Sequence, residues 1–527
     1  MSVMMRLTLN SSAEEQLQKQ AETLRLQLTQ KMSKPFKKLI DVSSGDIQST
    51  GMKPITFVRQ VLAGCLCPDL LLSDTLPHDV QLRVQKLLEH CDGGSVGAYA
   101  ESSGMAYVQR TVAKYISARD GGLSSNPAHI FITSGSLRAI TVVLKLLAQS
   151  GGSFQTGVMV PVPLPNALPH VLERVGSLPL FYCLREEAGW SIEREELHRA
   201  IQASKDHCCP RAIYISNPSN PTGHVQSRES IKDVIRFAAQ NNLFLLVDEV
   251  YQDTVFGLGS EFVSYKKVLA EMGPPYSNTV QLASVHSLSN GIMGECGLRA
   301  GYMELVNVDE SVMLFAEALL CGDISTPITG QIALDVMADP PRPGNQSYFL
   351  YKQEMESRLN TLKCNVHRST EFFNSLPDFH CPPVQSGIFI YPHLKFSPAA
   401  LTYAQGLGVE AGLWYCERLL QEEGVCVGVN RCVGEAVTHN SPPGSCWHLR
   451  LCVLMPPDAL EEVLCHLQAF HCRFLKDTSR AFCGAVRVLS EVVNHQVFCN
   501  GNHRNQLYQC VYFYKTAVHQ LHHIRDK

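Results

Sequence analysis

The chain has 527 residues, 45% of them hydrophobic and 18% charged, and a formal net charge of −4. That length leaves room for about three or four units of ordinary size, and the composition is that of a globular chain rather than a disordered one. A slightly acidic chain with no basic stripe and no interleaved aromatics excludes a broad nucleic-acid footprint, and no run reaches the ~18 apolar residues of a membrane span.

Twenty cysteines are scattered without a regular spacing. Cys426, Cys452 and Cys465 fall in apolar runs, where cysteine serves as a small buried hydrophobe. Neither Cys65 with Cys67 nor Cys208 with Cys209 is spaced as a zinc knuckle, so a reducing compartment and no metal site are expected. The opening M-S-V-M-M-R-L-T-L-N-S-S lacks the apolar core of a signal peptide. Glu14 and Glu15 argue against an Arg-rich presequence. A cytoplasmic location is expected, with the mitochondrion as the alternative.

In chain order, residues 13–38 form a polar helical pattern, and residues 55–91 are helical with amphipathic runs around Ile55–Leu62 and Val80–His90. The Gly/Ser-rich S-V-G-A-Y-A-E-S-S-G-M at 95–105 opens a further helix through Val108, Val112 and Tyr115. From about 129 short apolar runs alternate with helical stretches: H-I-F-I-T-S-G, V-M-V-P, L-P-L-F-Y-C-L, A-I-Y-I-S-N-P, L-F-L-L-V-D-E, V-Q-L-A-S-V-H and A-G-Y-M-E-L. Alternation predicts an α/β fold with a mainly parallel sheet covered by helices on both faces. A Pro-rich joint, D-P-P-R-P-G-N, leads to a helix at 347–375. Strand S-G-I-F-I-Y-P, helix 404–423, strands G-V-C-V-G and W-H-L-R-L-C-V-L and helix 457–475 follow, as a smaller α+β domain. The expected organisation is an N-terminal arm and first part of the small domain (1–94), a large domain (95–345), a small C-terminal domain (346–476) and a loosely ordered appendage (477–527). The appendage carries Cys483, Cys499, Cys510, His495, His503, His519, His522 and His523 in no recognised metal spacing.

Four patterns carry chemistry. Ser134-Gly135-Ser136 joins a strand to a helix, whose N-terminal amides form an anion site; by itself this is weak evidence. S-N-P-S-N-P-T-G at 216–223 is a rigid turn able to aim an amide at a ligand, or an ordinary Pro/Gly turn. L-L-V-D-E-V-Y ends a buried strand with Asp248 and, three residues on, Tyr251. In S-V-H-S-L-S-N-G-I-M-G-E-C-G-L-R-A-G-Y-M-E-L, residues 284–305, Arg299 offers a bidentate fork for phosphate.

Together with G-D-x-Q-x-x-G-x-x-P-I-T-F-x-R-Q-V-L-A, R-D-G-G, G-P-P-Y, M-G-E-C-G-x-R-x-G-Y and the closing L-M-P-P, these residues resemble the class I pyridoxal-phosphate-dependent aminotransferases of fold type I, most closely the alanine aminotransferases, from about residue 15 to 476. The resemblance implies pyridoxal 5′-phosphate as cofactor, amino and keto acids as small-molecule substrates, and a homodimer. It implies that Ser134, Gly135, Ser136, Ser287 and Arg299 bind the phosphate and that Tyr99 reaches the phosphate of the neighbouring subunit. It also implies that Asn220 and Tyr251 hold the ring oxygen, that Asp248 holds the ring-nitrogen proton, and that Arg450 grips the substrate carboxylate with the turn at Gly45 opposite.

One position breaks the pattern. Where the family has its Schiff-base lysine, this chain has Asn290. The lysine attaches the cofactor and moves a proton; an amide is neither nucleophilic nor usefully basic. Further departures gather near the ligand: Pro165 for a stacking aromatic, Leu137 and Arg138 at the helix start, Val429–Gly434 before Arg450 with an insertion through Ser441–Gly444, and Ser43. Three readings follow. The chain is a family member with lost or weakened activity that binds the cofactor non-covalently, a working alanine transaminase, or a non-catalytic dimerisation partner of an active relative.

Overall fold

The computed structural model describes residues 13–148, 154–204, 207–431 and 445–496, with side chains described as far as Ser479. After a short strand, β1 (Ile40–Asp41), the seven apolar runs between 129 and 306 become β2 (Ile130–Thr133), β3 (Gln155–Val162), β4 (Leu178–Cys183), β5 (Cys208–Ser216), β6 (Phe244–Asp248), β7 (Leu282–Ser287) and β8 (Gly301–Val306). They form one sheet in the order β2-β8-β7-β6-β5-β3-β4, parallel throughout except for β8. Side chains alternate across the pleat, and here both faces are apolar. Val158, Val160 and Leu246 face one core with Ile140, Val143 and Leu144 of helix Ser136–Leu147. Met159, Leu245 and Val247 face another with Ile231, Val234 and Ile235 of helix Arg228–Gln240. Each such side chain, fully buried, stabilises the fold by about 1.5–3 kcal/mol.

The second body is built on helix Tyr348–Ser375 and β9 (Phe379–His380), β10 (Phe389–Ile390), β11 (His393–Lys395), β12 (Val425–Cys426), β13 (Gly428–Arg431) and β14 (Cys446–Cys452). Its antiparallel sheet runs β10-β14-β11-β9, with β13 also on β14. The N-terminal arm divides between the two bodies. Helix Ala13–Thr29 puts Leu17, Ala21 and Leu24 into the small-domain core, and β1 pairs in parallel with β12. Helices Thr56–Leu66 and His78–Glu89 instead share a core with Ile130, Tyr302 and Ile332 of the large domain.

Three element boundaries differ from those expected. The first helix stops at Thr29, not 38, and Lys31 turns left-handed (φ 57°) just beyond it. The stretch 404–423 is two helices, Pro398–Gly406 and Ala411–Glu423, separated by a turn in which Gly408 takes φ 70°; glycine enters that region without the Cβ clash that would otherwise oppose it. The last helix continues from Pro457 past 475 to Gln496, and Phe470, Phe474 and Thr478 stay buried along it. Part of the expected appendage is therefore helical. Residues 432–444 and 497–527 lie outside the described residues, as do the side chains of Cys483 and His495. No described helix is long and apolar enough to cross a membrane.

Candidate active site

Strands β2, β5, β6 and β7 run the same way, and the candidate residues leave their C-terminal ends. In open parallel sheets ligands bind in the crevice beyond those ends. Register puts Ser216 beside Asp248 and Asp248 beside Val285. On the other side of β7, Thr133 pairs with Gly301 and Gly301 with Ser287.

The anion end of the crevice depends on two glycines. A Cβ on Gly301 would lie 2.5 Å from the His286 carbonyl oxygen and 3.2 Å from the Gly135 Cα, so only a bare backbone lets these strand ends approach. A Cβ on Gly135, itself at φ 101°, would lie 2.9 Å from Arg299 Nη2. Arg299 holds a left-handed backbone (φ 53°) that costs a non-glycine residue about 1–2 kcal/mol. Its side chain compensates: Nη2 donates to the Ser134 carbonyl at 3.0 Å, and Nη1 to the Cys296 carbonyl at 3.0 Å and to Ser289 Oγ at 3.4 Å. Gly135, Ser287 and Arg299 thus come close together, with Ser134 and Ser136 on either side of Gly135. A fixed guanidinium beside the first turn of helix Ser136–Leu147 makes an anion cradle.

At the next strand ends lie the groups expected to hold a ring. Asp248 is 6% exposed. Tyr214, which the sequence did not single out, donates its hydroxyl to Oδ2 at 2.8 Å, and the Val250 N–H donates to Oδ1 at 3.3 Å. Burial pushes the Asp248 carboxyl up to about 6 against those two hydrogen bonds and the nearby His286. Asn220 Oδ1 and the Tyr251 hydroxyl are buried without a partner among the described residues, and burial drives the Tyr251 phenol upward. Leaving such atoms unpaired costs about 1–3 kcal/mol each. The Tyr251 hydroxyl as donor, the Asp248 carboxyl and the cradle fit a ligand carrying a ring oxygen, a protonated ring nitrogen and a phosphate, as pyridoxal 5′-phosphate does. The Asn220 amide oxygen, without a partner among the described residues, is free to accept from such a ligand.

Asn290 sits at the start of the next loop with Oδ1 3.1 Å from where a Cβ of Gly45 would be. The loop is firmly held. Arg358 Nη1 donates to the Ile292 and Met293 carbonyls at 2.7 and 2.8 Å, Gln48 Nε2 donates to the Gly294 carbonyl at 2.9 Å, and Arg59 pairs with Glu295 at 2.7 Å. The scaffold that presents residue 290 is therefore intact, and the side chain it presents is an amide.

Arg450, on β14, is 6% exposed with its guanidinium 4.8 Å from the centre of the Phe389 ring. Its Nη2 donates to Glu14 Oε1 at 2.8 Å and to the Ser43 carbonyl at 2.7 Å. The anchor expected for a substrate carboxylate thus already holds one of this chain's own. Burial pushes the Glu14 carboxyl up, and Arg450 draws it back. Sequence reading missed Glu14, although positions 14, 17, 21 and 24 fall on one helical stripe whose other members, Leu17, Ala21 and Leu24, are buried.

Of the other departures, Arg138, Leu137 and Pro165 make no described contact with this pair. Arg138 turns to Asp323 and donates to the Leu319 carbonyl at 2.9 Å. Leu137 is exposed, and Pro165 accepts a hydrogen bond from the Leu168 N–H at 3.0 Å. Tyr99 is 73% exposed in the loop before helix Ala106–Arg119, and no described contact joins it to the cradle.

The sequence pattern of the family described as "Aminotransferase class I and II" matches residues 70–467. Alanine aminotransferase 1 of Homo sapiens is 41% identical over 456 residues, 86% of this chain and 90% of that protein. Alanine aminotransferase 2 of Xenopus laevis is 41% identical over 460 residues, 87% of this chain and 84% of that protein. Among solved structures, an alanine aminotransferase from Pyrococcus furiosus superposes with a TM-score of 0.65 at 16% identity, covering 90% of this chain and all of that one. A Thermus thermophilus aspartate aminotransferase variant gives 0.61 at 19% identity, covering 89% and 99%. At those identities the structures speak for the fold, and the longer sequence matches speak for descent: the chain belongs to the class I and II aminotransferase family and has the fold type I architecture.

Proposed function

We propose that this chain is an alanine-aminotransferase-like protein that binds pyridoxal 5′-phosphate without covalent attachment and has lost, or nearly lost, amino-group transfer between L-alanine and 2-oxoglutarate. The observation that carries the proposal is Asn290, presented by a well-held loop opposite Gly45. When bound, the cofactor supplies an electron sink. Ser134–Ser136, Ser287 and Arg299 would hold its phosphate, Asp248 would keep its ring nitrogen protonated, and Asn220 and Tyr251 would meet its ring oxygen. None of these residues can take the lysine's place as base. A positioned base is worth about 10²–10⁴-fold in rate, before the missing covalent attachment is counted.

A second feature supports the same reading. Glu14 engages Arg450 at 2.8 Å, where a substrate carboxylate would need to be. An incoming acid must displace that carboxylate, and the displaced Glu14 must find water. Tyr99, exposed and outside its own chain's cluster, supports a dimer in which a second copy or an active relative receives it. Sedimentation of the purified chain tests the dimer, which a concentration-independent monomer would refute.

The catalytic reading is tested by loading the chain with pyridoxal 5′-phosphate and adding borohydride. The expected result is a visible cofactor band with no reduced adduct on the protein and no transfer from alanine to 2-oxoglutarate. Robust turnover by the unaltered chain would establish a working transaminase instead.

A further inference from the structure

Away from the crevice, three segments distant in sequence bring metal-ligating side chains together. Glu186 lies in the one-turn helix Glu186–Ala188 that follows β4, His393 opens β11, and His448 is central in β14. One carboxylate oxygen and one nitrogen from each imidazole all lie within 4.8 Å of one another. The arrangement follows from strand register. His393 pairs directly with His448 across the antiparallel ladder, and on its other side with His380 of β9. Directly opposed residues project on the same face, so three histidines stand in a row and Glu186 is set against them. The rings of His393 and His448 lie 5.1 Å apart at 30°, and Glu186 reaches His448 Nε2 at 3.2 Å.

This cluster differs from an ordinary surface pair in two ways. His448 is 4% exposed and boxed in, with Tyr391 stacked on it at 4.5 Å and 3° and the edge of Trp190 at 5.4 Å. His393 Nε2 is buried with no hydrogen-bond partner among the described residues. A carboxylate, a walled imidazole and an orphaned imidazole nitrogen form a donor set for a divalent transition metal. Two nitrogens and one oxygen suit Zn²⁺ better than the oxygen-seeking Mg²⁺ or Ca²⁺.

We propose that Glu186, His393 and His448 bind a zinc ion that ties the edge of the large sheet to the small-domain sheet. The proposal does not depend on what the crevice binds. An ion there would replace the Glu186–His448 contact by two bonds to one centre and join elements on either side of the domain boundary. Because it binds the folded chain, it would raise the melting temperature.

The test uses the full chain stripped with a chelator and titrated with Zn²⁺ or with Co²⁺ as a spectroscopic probe. The expected result is one tightly held zinc per chain, visible cobalt bands of low-symmetry four-coordination, and a higher melting temperature with zinc. His393→Gln and Glu186→Gln, made separately, keep hydrogen-bonding side chains in place and should each lose the tight site and the zinc-induced rise while melting normally in chelator. If one of them fails to fold, the other and the stripped wild type still decide. No stoichiometric uptake by the wild type, or uptake unchanged in the variants, would overturn the proposal; the latter would assign the zinc to thiols elsewhere.

Discussion

The two ends of the crevice have fared differently. At the cradle end Arg299 is wired to Ser134 and Cys296, Gly135 and Gly301 keep the backbone open, and Asp248, Asn220 and Tyr251 present a carboxyl and two atoms without a partner among the described residues. At the reaction end the polar groups are either of the wrong kind or already engaged. Asn290 has the reach of a short polar side chain and no basicity, and Arg450 is held by Glu14 and Ser43. Binding a cofactor and turning over a substrate use separable sets of side chains, so one set can be kept while the other is lost. Retained binding groups are therefore poor evidence for retained chemistry.

Substitutions at each end sharpen this contrast. The largest effect is expected at the cradle. Arg299→Ala removes a charge-assisted fork and should weaken pyridoxal 5′-phosphate binding about 10²-fold, the scale of one or two such hydrogen bonds, measured by absorbance titration. The same change should leave pyridoxal, which lacks the phosphate, almost unaffected.

Next comes Asp248→Asn. Burial holds this carboxyl up at about 6 from an ordinary 3.8, so in the folded chain the proton stays on where the unfolded chain has already lost it. Folding is thus penalised as pH rises through that interval, by about 1–3 kcal/mol once both states are ionised above it. Asp248→Asn should therefore stabilise the cofactor-free chain at pH 8 and confer nothing below about pH 4, followed by denaturant melts across that range. With cofactor present the sign should reverse, because the asparagine cannot hold a ring-nitrogen proton. A stabilisation independent of pH would break the assignment.

The smallest effect is at the anchor. Glu14→Gln should raise the affinity of the chain for 2-oxoglutarate about tenfold, since a neutral amide competes less well for a buried guanidinium than a carboxylate does; calorimetric titration of both proteins measures it. If affinity instead falls, Glu14 supports Arg450 rather than occupying it.

What could be read in advance follows from how local the determinants are. Leu245, Leu246 and Val247 announce a strand covered on both faces because each is apolar in its own right, and Asp248 at the end of that run marks a strand end facing a crevice. Asn290 is legible because it interrupts a long run of family wording. The break at Gly408 is harder to read, since a glycine inside a helical pattern is compatible with both a kink and a continuous helix. Glu14 was read only as an acidic residue near the N-terminus; its stripe with Leu17, Ala21 and Leu24 predicts burial, but its partner lies on β14. Glu186, His393 and His448 carry no spacing signal, because strand pairing and the packing of one domain on the other bring them together.

The most direct test of the account is to restore the one missing group. Asn290→Lys, loaded with pyridoxal 5′-phosphate, should form a borohydride-trappable attachment that the wild type lacks, and should gain at least 10²-fold in alanine–2-oxoglutarate transfer over it, the lower bound for a positioned base. Substantial turnover by the wild type, with no gain on adding the lysine, would contradict the claim that residue 290 separates binding from catalysis in this chain.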